Sequence, residues 1–385
     1  MSGRRRVAVL FGGRSSEHEI SCLSARSVID ALDPATTEVI AIGIGRDGRW
    51  HVLPGPPALP SETGRMPEVE GETGVMARLA SDDHAGQPAL ELADGSRADF
   101  DVVFPVLHGP RGEDGAIQGL LELAGVPYVG AGVLGSALGM DKAMQKALWS
   151  AGGLPVVPYV VAPEHEWRDD PEGVGARVQA LGYPVFTKPA SLGSSVGISK
   201  VAGPAGLDAG MAEAFRFERK AIVEQGIEPV REIECAVLGN DDPVASVCGE
   251  IVPQGHDFYD YDAKYLDGAG AQLVIPAPLG PSLASRIQRL AVAAFTTVAC
   301  AGMARVDTFV RGDEIWVNEI NTIPGFTSIS MYPKLWEASG LPYDRLVPRL
   351  LDLAIERFDA EREKRVDVPE LHGRAAASRP PAEDG

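Results

Sequence analysis

The sequence predicts an α/β fold at the N-terminus, followed by units that mix strands and helices as an α+β fold. Residues 7–11 form the apolar run of a buried strand, a Gly-Gly turn follows them, and residues 19–32 show the apolar spacing of a helix. A second apolar strand is predicted at 39–44, so the chain opens as β-α-β with a parallel sheet. With 385 residues the chain is too long for one ordinary core, and two or three domains are expected.

The remaining elements divide into three predicted domains and a tail. A stretch rich in Pro, Gly and acids at about 54–98 has little periodicity, which predicts a long insertion with short hairpins in the first domain. The predicted boundaries are 1–128 for the N-terminal α/β domain, 129–220 for the central domain, 221–365 for the C-terminal domain and 366–385 for a disordered tail of Ala, Arg, Pro and acids. The other predicted elements are strands at 101–107, 185–188 and 196–201, strand-like runs at 221–225 and 232–239, and helices at 118–124, 136–151, 281–301 and 343–362.

The composition is that of an ordinary globular protein, with 45% hydrophobic and 23% charged residues. A net charge of −19 disfavours nucleic acid and anionic membranes as general partners. No apolar run approaches the length of a membrane span, and the short run after the basic start MSGRRR is cut off by Gly-Gly-Arg, unlike that of a signal peptide. The four cysteines form no C-x-x-C pair, which fits free thiols in a reducing compartment. These features predict a cytoplasmic protein.

The segment 304–330 carries the strongest indication of chemistry. Arg305 and Asp307 lie on one predicted strand, Glu319 and Asn321 lie on the next, and a Gly-Asp turn joins them. Residues i and i+2 of a strand share a face, so a hairpin would present two carboxylates, an amide and a guanidinium on one side. Such oxygen ligands suit Mg²⁺ beside a substrate's phosphates. The alternative, a hairpin with solvated charges, is disfavoured because apolar neighbours indicate that both strands are buried.

Two glycine motifs match known patterns without the context that those patterns need. Residues 130–135 fit the dinucleotide fingerprint G-x-G-x-x-G, but no acid follows about 20 residues later for a ribose hydroxyl. Residues 193–197 fit the nucleophile elbow G-x-S-x-G around Ser195, but a strand instead of the required helix is predicted to follow. The better interpretation of 193–197 is a flap whose backbone N–H groups hold phosphate. Lys188, at the end of the preceding strand, is predicted to reach the same anion.

Polar side chains also follow two strands of the predicted N-terminal sheet. Glu17 lies in the loop after the first strand, at the sheet edge where open α/β folds bind ligands. Its alternative role is that of an acid at a helix start, favoured by the helix dipole, and spacing does not separate the two. His108 lies at the corresponding end of a later strand. A loop histidine is more often structural than a ligand, but this position favours a role in a site.

Taken together, seven sequence blocks resemble the D-alanine–D-alanine ligases of the ATP-grasp superfamily. They stand in the family's order and span nearly the whole chain, apart from the insertion and the tail. The resemblance implies a three-domain ATP-grasp fold with an N-terminal parallel α/β (pre-ATP-grasp) domain. The matching blocks are GGRSSEHEIS (12–21), HGPRGEDG (108–115), SALGMDK (136–142), FTKPASLGSSVGI (186–198), FYDYDAKY (258–265), RVDTFV (305–310) and NEINTIPGFTSISMYP (318–333).

The resemblance implies an ATP site between the second and third domains, with two Mg²⁺ (or Mn²⁺) ions that neutralise phosphate charge during phosphoryl transfer. The flap, which includes Ser195, would close over the phosphates. The implied roles are phosphate binding for Lys142 and Lys188, the adenine amino group for Glu224, the ribose hydroxyls for Glu232, and metal binding for Asp307, Glu319 and Asn321.

The same resemblance implies two D-alanine sites and a D-alanyl phosphate intermediate, in the synthesis of peptidoglycan precursors. An oxyanion hole would stabilise the tetrahedral intermediate. The implied roles are the first D-alanine's ammonium for Glu17, a hydrogen-bonded triad with Glu17 for Ser194 and Tyr265, the oxyanion hole for Arg305 and the Gly325 N–H, and the second D-alanine's carboxylate for Ser330 and Lys264.

Two positions bear on the second substrate. Family members that make D-alanyl-D-lactate have a histidine in place of Tyr265, so this lid favours an amine nucleophile. Met331 stands where leucine is frequent in the family, and the two side chains have similar volumes.

The family also implies a homodimer. The alternatives are another ATP-grasp ligase, a silent nucleotide sensor, which would be expected to lose a metal ligand, and a hydrolase that uses Ser195.

Overall fold

Three β-sheets organise the chain, and the computed structural model describes residues 3–70, 74–80, 88–253 and 271–364. The first sheet opens with β1 (Arg5–Gly12), α1 (His18–Asp30) and β2 (Thr37–Ile44). β1 and β2 pair in parallel, so the predicted β-α-β opening is confirmed.

The predicted insertion continues the first sheet. Its short strands pair antiparallel with one another, each with the next along the chain, and β7 lies in parallel on the other side of β1. The strand order is β6-β5-β4-β3-β2-β1-β7. The elements are β3 (Trp50–Val52), α2 (Pro60–Thr63), β4 (Val75–Leu79), β5 (Ala89–Leu92), β6 (Arg97–Asp99), β7 (Val102–Pro105) and α3 (Ala116–Leu123).

The single helix predicted at 136–151 is wrong, because the chain forms two helices there. α4 (Val133–Met140) ends before Asp141, which has an extended backbone with φ −96° and ψ 103°. The Asp141 side chain accepts hydrogen bonds from the next helix's backbone N–H groups and so begins α5 (Lys142–Ala151). The extended Asp141 therefore separates α5 from α4.

The second sheet is antiparallel, in the order β10-β9-β11-β8. Its strand after the flap begins at Ser199, later than the predicted residue 196. The division at residue 221 stays a prediction, and the strand that spans it pairs in this second sheet. The elements are β8 (Tyr159–Pro163), α6 (Glu164–Asp169), α7 (Pro171–Leu181), β9 (Val185–Pro189), β10 (Ser199–Val201), α8 (Leu207–Phe215) and β11 (Lys220–Gln225).

The third sheet is also antiparallel, in the order β14-β13-β12-β15-β16. The predicted hairpin at its edge and the predicted last helix are both present. The elements are β12 (Arg231–Gly239), β13 (Val244–Pro253), β14 (Ala271–Val274), α9 (Pro281–Thr297), β15 (Gly302–Arg311), β16 (Glu314–Asn321), α10 (Met331–Ala338) and α11 (Tyr343–Arg362).

One hydrophobic core joins the first and third sheets. Buried side chains of β1 and β7 share a cluster with those of α10 and α11, and Phe326 packs between them. The Phe326 ring lies 5.7 Å from the rings of Phe104 and Tyr332 and 5.6 Å from that of Tyr343. The core therefore fixes the loop after β16 against the N-terminal sheet.

None of the helices in the described ranges is both long and apolar enough to cross a bilayer. The predicted lid at 258–265, with Tyr265 and Lys264, and the predicted tail at 366–385 lie outside the described residues.

Candidate active site

Acidic side chains form a row across three strands of the third sheet. In the observed register Asp307 of β15 lies opposite Glu319 of β16 and, on its other side, opposite Glu234 of β12. Arg305 lies opposite Asn321 in the same hairpin, so the predicted pairing of the four polar residues is confirmed. Glu234 was not among the residues predicted from the sequence, although its position two residues after Glu232 places it on the same face of the strand.

Arg305 holds this row together electrostatically. Its guanidinium binds Asp307 in a bidentate pair, with Nε–Oδ1 and Nη2–Oδ2 both at 2.7 Å. The Nε atom is also 3.0 Å from Glu234 Oε2, and Asn321 Nδ2 donates to Asp307 Oδ2 at 3.0 Å. Burial by itself lowers the pKa of Arg305, but the surrounding carboxylates outweigh it and raise that pKa well above its ordinary value. Arg305 is therefore a permanent cation in this site.

The predicted metal ligands are all hard oxygen donors. Asp307 and Glu319 face each other across the hairpin, with the Asn321 amide beside Asp307. Within the described parts of the chain, no three His, Cys, Asp or Glu side chains converge as a metal site, and Asn321 is outside those residue types. The donor chemistry of the predicted trio fits Mg²⁺. Its metal role stays a prediction.

Two lysines one turn apart on α5 reach acids of two different sheets. Lys142 Nζ is 3.1 Å from Glu319 Oε2 of the third sheet and donates to the Leu192 carbonyl at 2.7 Å. Lys146 Nζ, fully buried, is 3.1 Å from Glu224 Oε1 of the second sheet. Burial lowers the pKa of Lys142, but the Glu319 charge and hydrogen bond, together with the charges of Glu224 and Glu218, outweigh burial and raise that pKa. Helix α5 thus links both sheets electrostatically.

Glu224 lies between two ammonium groups. Its second oxygen, Oε2, is 2.7 Å from Lys188 Nζ. Burial opposes ionisation of Glu224, but Lys146 and Lys188 prevail and lower its pKa. Burial, assisted by the Lys188 charge, lowers the pKa of Lys146. The Lys146 contact has the distance of an ion pair without hydrogen-bond geometry, so we regard it as mainly coulombic.

Lys146 was not predicted as a site residue, because no motif or spacing in its local sequence indicates a site. The predicted adenine contact of Glu224 and the ribose contact of Glu232 stay predictions. Glu232 is half-buried on β12, on the same face as Glu234.

The flap joins antiparallel strands β9 and β10, as predicted, and no helix follows Ser195. The hydrolase alternative therefore lacks its strand–turn–helix context. Ser194 Oγ donates to Glu17 Oε1 at 2.5 Å, which brings together two residues that the resemblance had linked. Ser194 and Ser195 have φ values of 51° and 59°, in the left-handed region that non-glycine residues avoid.

The other glycine motif, at 130–135, serves close packing. A Cβ at Gly135 would stand 2.6 Å from the Ala299 carbonyl oxygen, and a Cβ at Gly302 would stand 3.1 Å from Gly130. The glycines thus let two backbone segments touch. This explains the fingerprint match without a dinucleotide.

Two more titratable groups surround Glu17. His108 is buried, with Nε2 3.2 Å from Ser24 Oγ and Nδ1 3.2 Å from the Ile323 carbonyl, and burial lowers its pKa. Glu113, which was not among the predicted site residues, accepts a hydrogen bond from the Gly109 N–H at 2.7 Å. Burial and the nearby Glu17 charge raise the pKa of Glu113 to about 8.

The loop after β16 brings Gly325 and Ser330 together. A Cβ at Gly325 would stand 3.1 Å from Ser330 Oγ, which accepts the Thr327 N–H at 3.1 Å. Tyr343 donates to the Phe326 carbonyl at 2.6 Å, which ties the loop to α11. The predicted oxyanion and carboxylate groups therefore share one short loop, and their roles stay predictions.

Comparisons with known proteins identify the family of this chain. Two family models match: the D-ala D-ala ligase N-terminus at residues 6–131 and the D-ala D-ala ligase C-terminus at residues 148–352. The D-alanine--D-alanine ligase of Heliobacterium modesticaldum is 48% identical over 371 residues, which cover 95% of this chain and 98% of that protein. The relative of the same description from Mycobacterium ulcerans is 49% identical over 366 residues, covering 92% and 96%.

Solved structures give the same result. The D-alanine-D-alanine ligase from Coxiella burnetii has a TM-score of 0.80 at 38% identity and covers 98% of this chain and 100% of its own. The VanG D-Ala:D-Ser ligase from Enterococcus faecalis has a TM-score of 0.78 at 35% identity, covering 91% and 99%. The predicted three-domain ATP-grasp fold is confirmed. This chain belongs to the D-alanine–D-alanine ligase family.

Proposed function

We propose that this protein joins two molecules of D-alanine at the expense of ATP, to supply D-alanyl-D-alanine for peptidoglycan precursors. A carboxylate oxygen of the first D-alanine attacks the γ-phosphorus, and ADP leaves. The amine of the second D-alanine then attacks the carbonyl carbon of the resulting D-alanyl phosphate. A C–N bond forms, the C–O bond to phosphate breaks, and the nitrogen loses a proton.

The contact between Ser194 and Glu17 carries this proposal. It brings the proposed phosphate flap to 2.5 Å from the N-terminal loop that would hold an amino acid. A nucleotide sensor needs no such junction, whereas a ligase must hold phosphate and amino acid together.

Two lysines lie at the phosphate end of the site. Lys142 and Lys188 are proposed to bind the ATP phosphates, with the flap N–H groups, including that of Ser195, closing over them. Both lysines already pair with acids, so they are pre-oriented. The trio Asp307, Glu319 and Asn321 is proposed to hold two Mg²⁺ (or Mn²⁺) ions, which supply charge neutralisation when bound. Glu224 and Glu232 are proposed to contact the adenine and the ribose.

The acyl end of the site uses Arg305 and the loop after β16. Arg305 Nε and Nη2 bind carboxylates, and its Nη1 group is proposed to donate to the oxyanion together with the Gly325 N–H. Glu17 is proposed to bind the first ammonium and Ser330 the second carboxylate. The proposed roles of Tyr265 and Lys264 come from the sequence resemblance, since both residues lie outside the described ranges.

We also propose that the protein is a cytoplasmic homodimer. All four cysteines are buried free thiols, which fits a reducing compartment. The net charge of −19 supports the absence of nucleic-acid and membrane partners. The dimer and the domain boundaries at 128, 220 and 365 come from the sequence analysis.

The decisive experiment incubates the full chain with ATP, Mg²⁺ and D-alanine, and follows phosphate release together with dipeptide formation. We expect one phosphate per dipeptide, and none with L-alanine. A further arm offers D-serine with D-alanine, because one structural neighbour is described as a D-Ala:D-Ser ligase. Phosphate release that does not depend on D-alanine would refute the proposal.

A further inference from the structure

The flap has a conformation that its own residues disfavour. Ser194 and Ser195 are both left-handed, at φ 51° and 59°, and each such residue costs about 1 kcal/mol or more. Of its two turn bonds, Val196 N–H to Gly193 O at 3.2 Å is at the upper end of the ordinary range, and Ile198 N–H to Ser195 O at 3.5 Å is beyond it. Contacts from outside the flap must therefore hold this conformation.

One turn of the second sheet touches both ends of the flap. This turn, residues 216–219, joins α8 to β11 and is called the support turn here. Glu218 binds Ser191, just before the flap, through two bonds: the N–H to Oε2 at 2.6 Å and the hydroxyl to Oε1 at 3.1 Å. Both carboxylate oxygens are thus engaged at the flap's entry.

The neighbouring residue of the support turn packs at the flap's exit. A Cβ at Gly197 would stand 2.8 Å from the Phe217 ring and 2.8 Å from Pro189. The ring thus lies against the Gly197 backbone. Phe217 is nevertheless 44% exposed, so it contributes little to the hydrophobic core. An exposed aromatic ring at this place is better explained by its contact with the flap.

We propose that Glu218 and Phe217 are positioning residues that hold the flap ready for the phosphates of ATP. They act through Ser191 and Gly197 and touch no reacting group. The inference rests on the proposed function, because it takes the flap to be the phosphate-binding element.

The test compares Glu218→Ala and Phe217→Ala with Glu166→Ala, a control on α6 whose partner is the exposed Arg177 of α7, away from the support turn. Glu218→Ala loses two hydrogen bonds to a charged group. Its affinity for ADP, measured by calorimetry, should therefore fall about tenfold or more, and its KM for ATP should rise by a similar factor. Phe217→Ala should change both quantities in the same directions. The KM for D-alanine and the thermal unfolding midpoint should stay near wild type, as in the control.

Rescue and hydrogen exchange separate positioning from a general structural effect. In Glu218→Gln the amide oxygen can accept the Ser191 N–H and its NH₂ can donate to the Ser191 hydroxyl, so most nucleotide affinity should return. Amide exchange should accelerate at 191–198 in Glu218→Ala and stay unchanged elsewhere. Unchanged ADP affinity and unchanged flap exchange in Glu218→Ala would overturn the inference. ADP binding and exchange need no ligase turnover, so a failure of the proposed function remains distinguishable.

Discussion

Replacing Lys146 with methionine tests the buried charge arrangement at the centre of the site. Lys146 is fully buried, and its ammonium is 3.1 Å from Glu224, which also binds Lys188 at 2.7 Å. Methionine has a similar length and fills the same space without charge. The substitution therefore removes one of two counter-ions from a buried carboxylate and changes little else.

The expected magnitude follows from the geometry. At 3.1 Å and an effective dielectric constant of about 20, the attraction between the two charges is about 5 kcal/mol. Part of this is returned, because methionine has no ammonium to desolvate and no longer repels Lys188. Glu224 also keeps its second partner. We expect a net loss of about 3 kcal/mol in the free energy of unfolding, near the lower end for broken buried pairs.

A double-mutant cycle with Glu224→Gln provides the assay. Urea unfolding is followed by tryptophan fluorescence, and the midpoints are compared at a common slope. Lys146→Met alone should lose about 3 kcal/mol, and the double variant Lys146→Met, Glu224→Gln should recover at least about 1.5 kcal/mol of the summed single losses. Purely additive losses, or a loss below about 1 kcal/mol in Lys146→Met, would refute the argument that Lys146 is a needed counter-ion.

Two further substitutions probe acids of the site. Glu319→Gln should abolish D-alanine-dependent phosphate release, while its circular dichroism spectrum should remain that of the native fold. The control is Glu314→Gln, which lies on the same strand but is exposed and should keep normal turnover. Full activity in Glu319→Gln would contradict the metal role. Glu113 has a folded-state pKa of about 8 against an ordinary 4.5, so its stabilising contribution is complete below pH 4.5 and is lost as the pH rises toward 8. In urea unfolding between pH 5 and 9, the free energy of unfolding of the wild type should therefore fall by roughly 3–5 kcal/mol relative to that of Glu113→Gln. If the difference in unfolding free energy between the two proteins does not change with pH, Glu113 is not buried in its protonated form.

Local sequence patterns were sufficient to predict the structure where a side chain's surroundings depend on its own strand or turn. The i+2 spacing on both strands and the Gly-Asp turn predicted the hairpin that pairs Asp307 with Glu319. The same reasoning predicted that the flap joins two strands, which excluded the nucleophile elbow around Ser195. Asp141 is a different case: its helix-capping role is local and visible in sequence, but the apolar spacing of 136–151 concealed it.

The short strands in and beside the insertion were harder to predict. β3, β5 and β6 have three or four residues each, too few for a periodic signal. β3 pairs with the edge of β2, and each later strand pairs with the edge left by the one before it, so their pairing is a property of the assembled sheet.

By itself, the sequence determined the family, the parallel opening of the chain and the chemical types gathered at 304–330, because periodicity and motif order are written in consecutive residues. Only the tertiary structure decided how the charges are balanced. Lys146, Glu234, Glu113 and Glu218 look ordinary in their own segments, and each gains its role from a group in another segment. Burial and coulombic interaction depend on distance in space, and a single sequence read along the chain does not contain that distance.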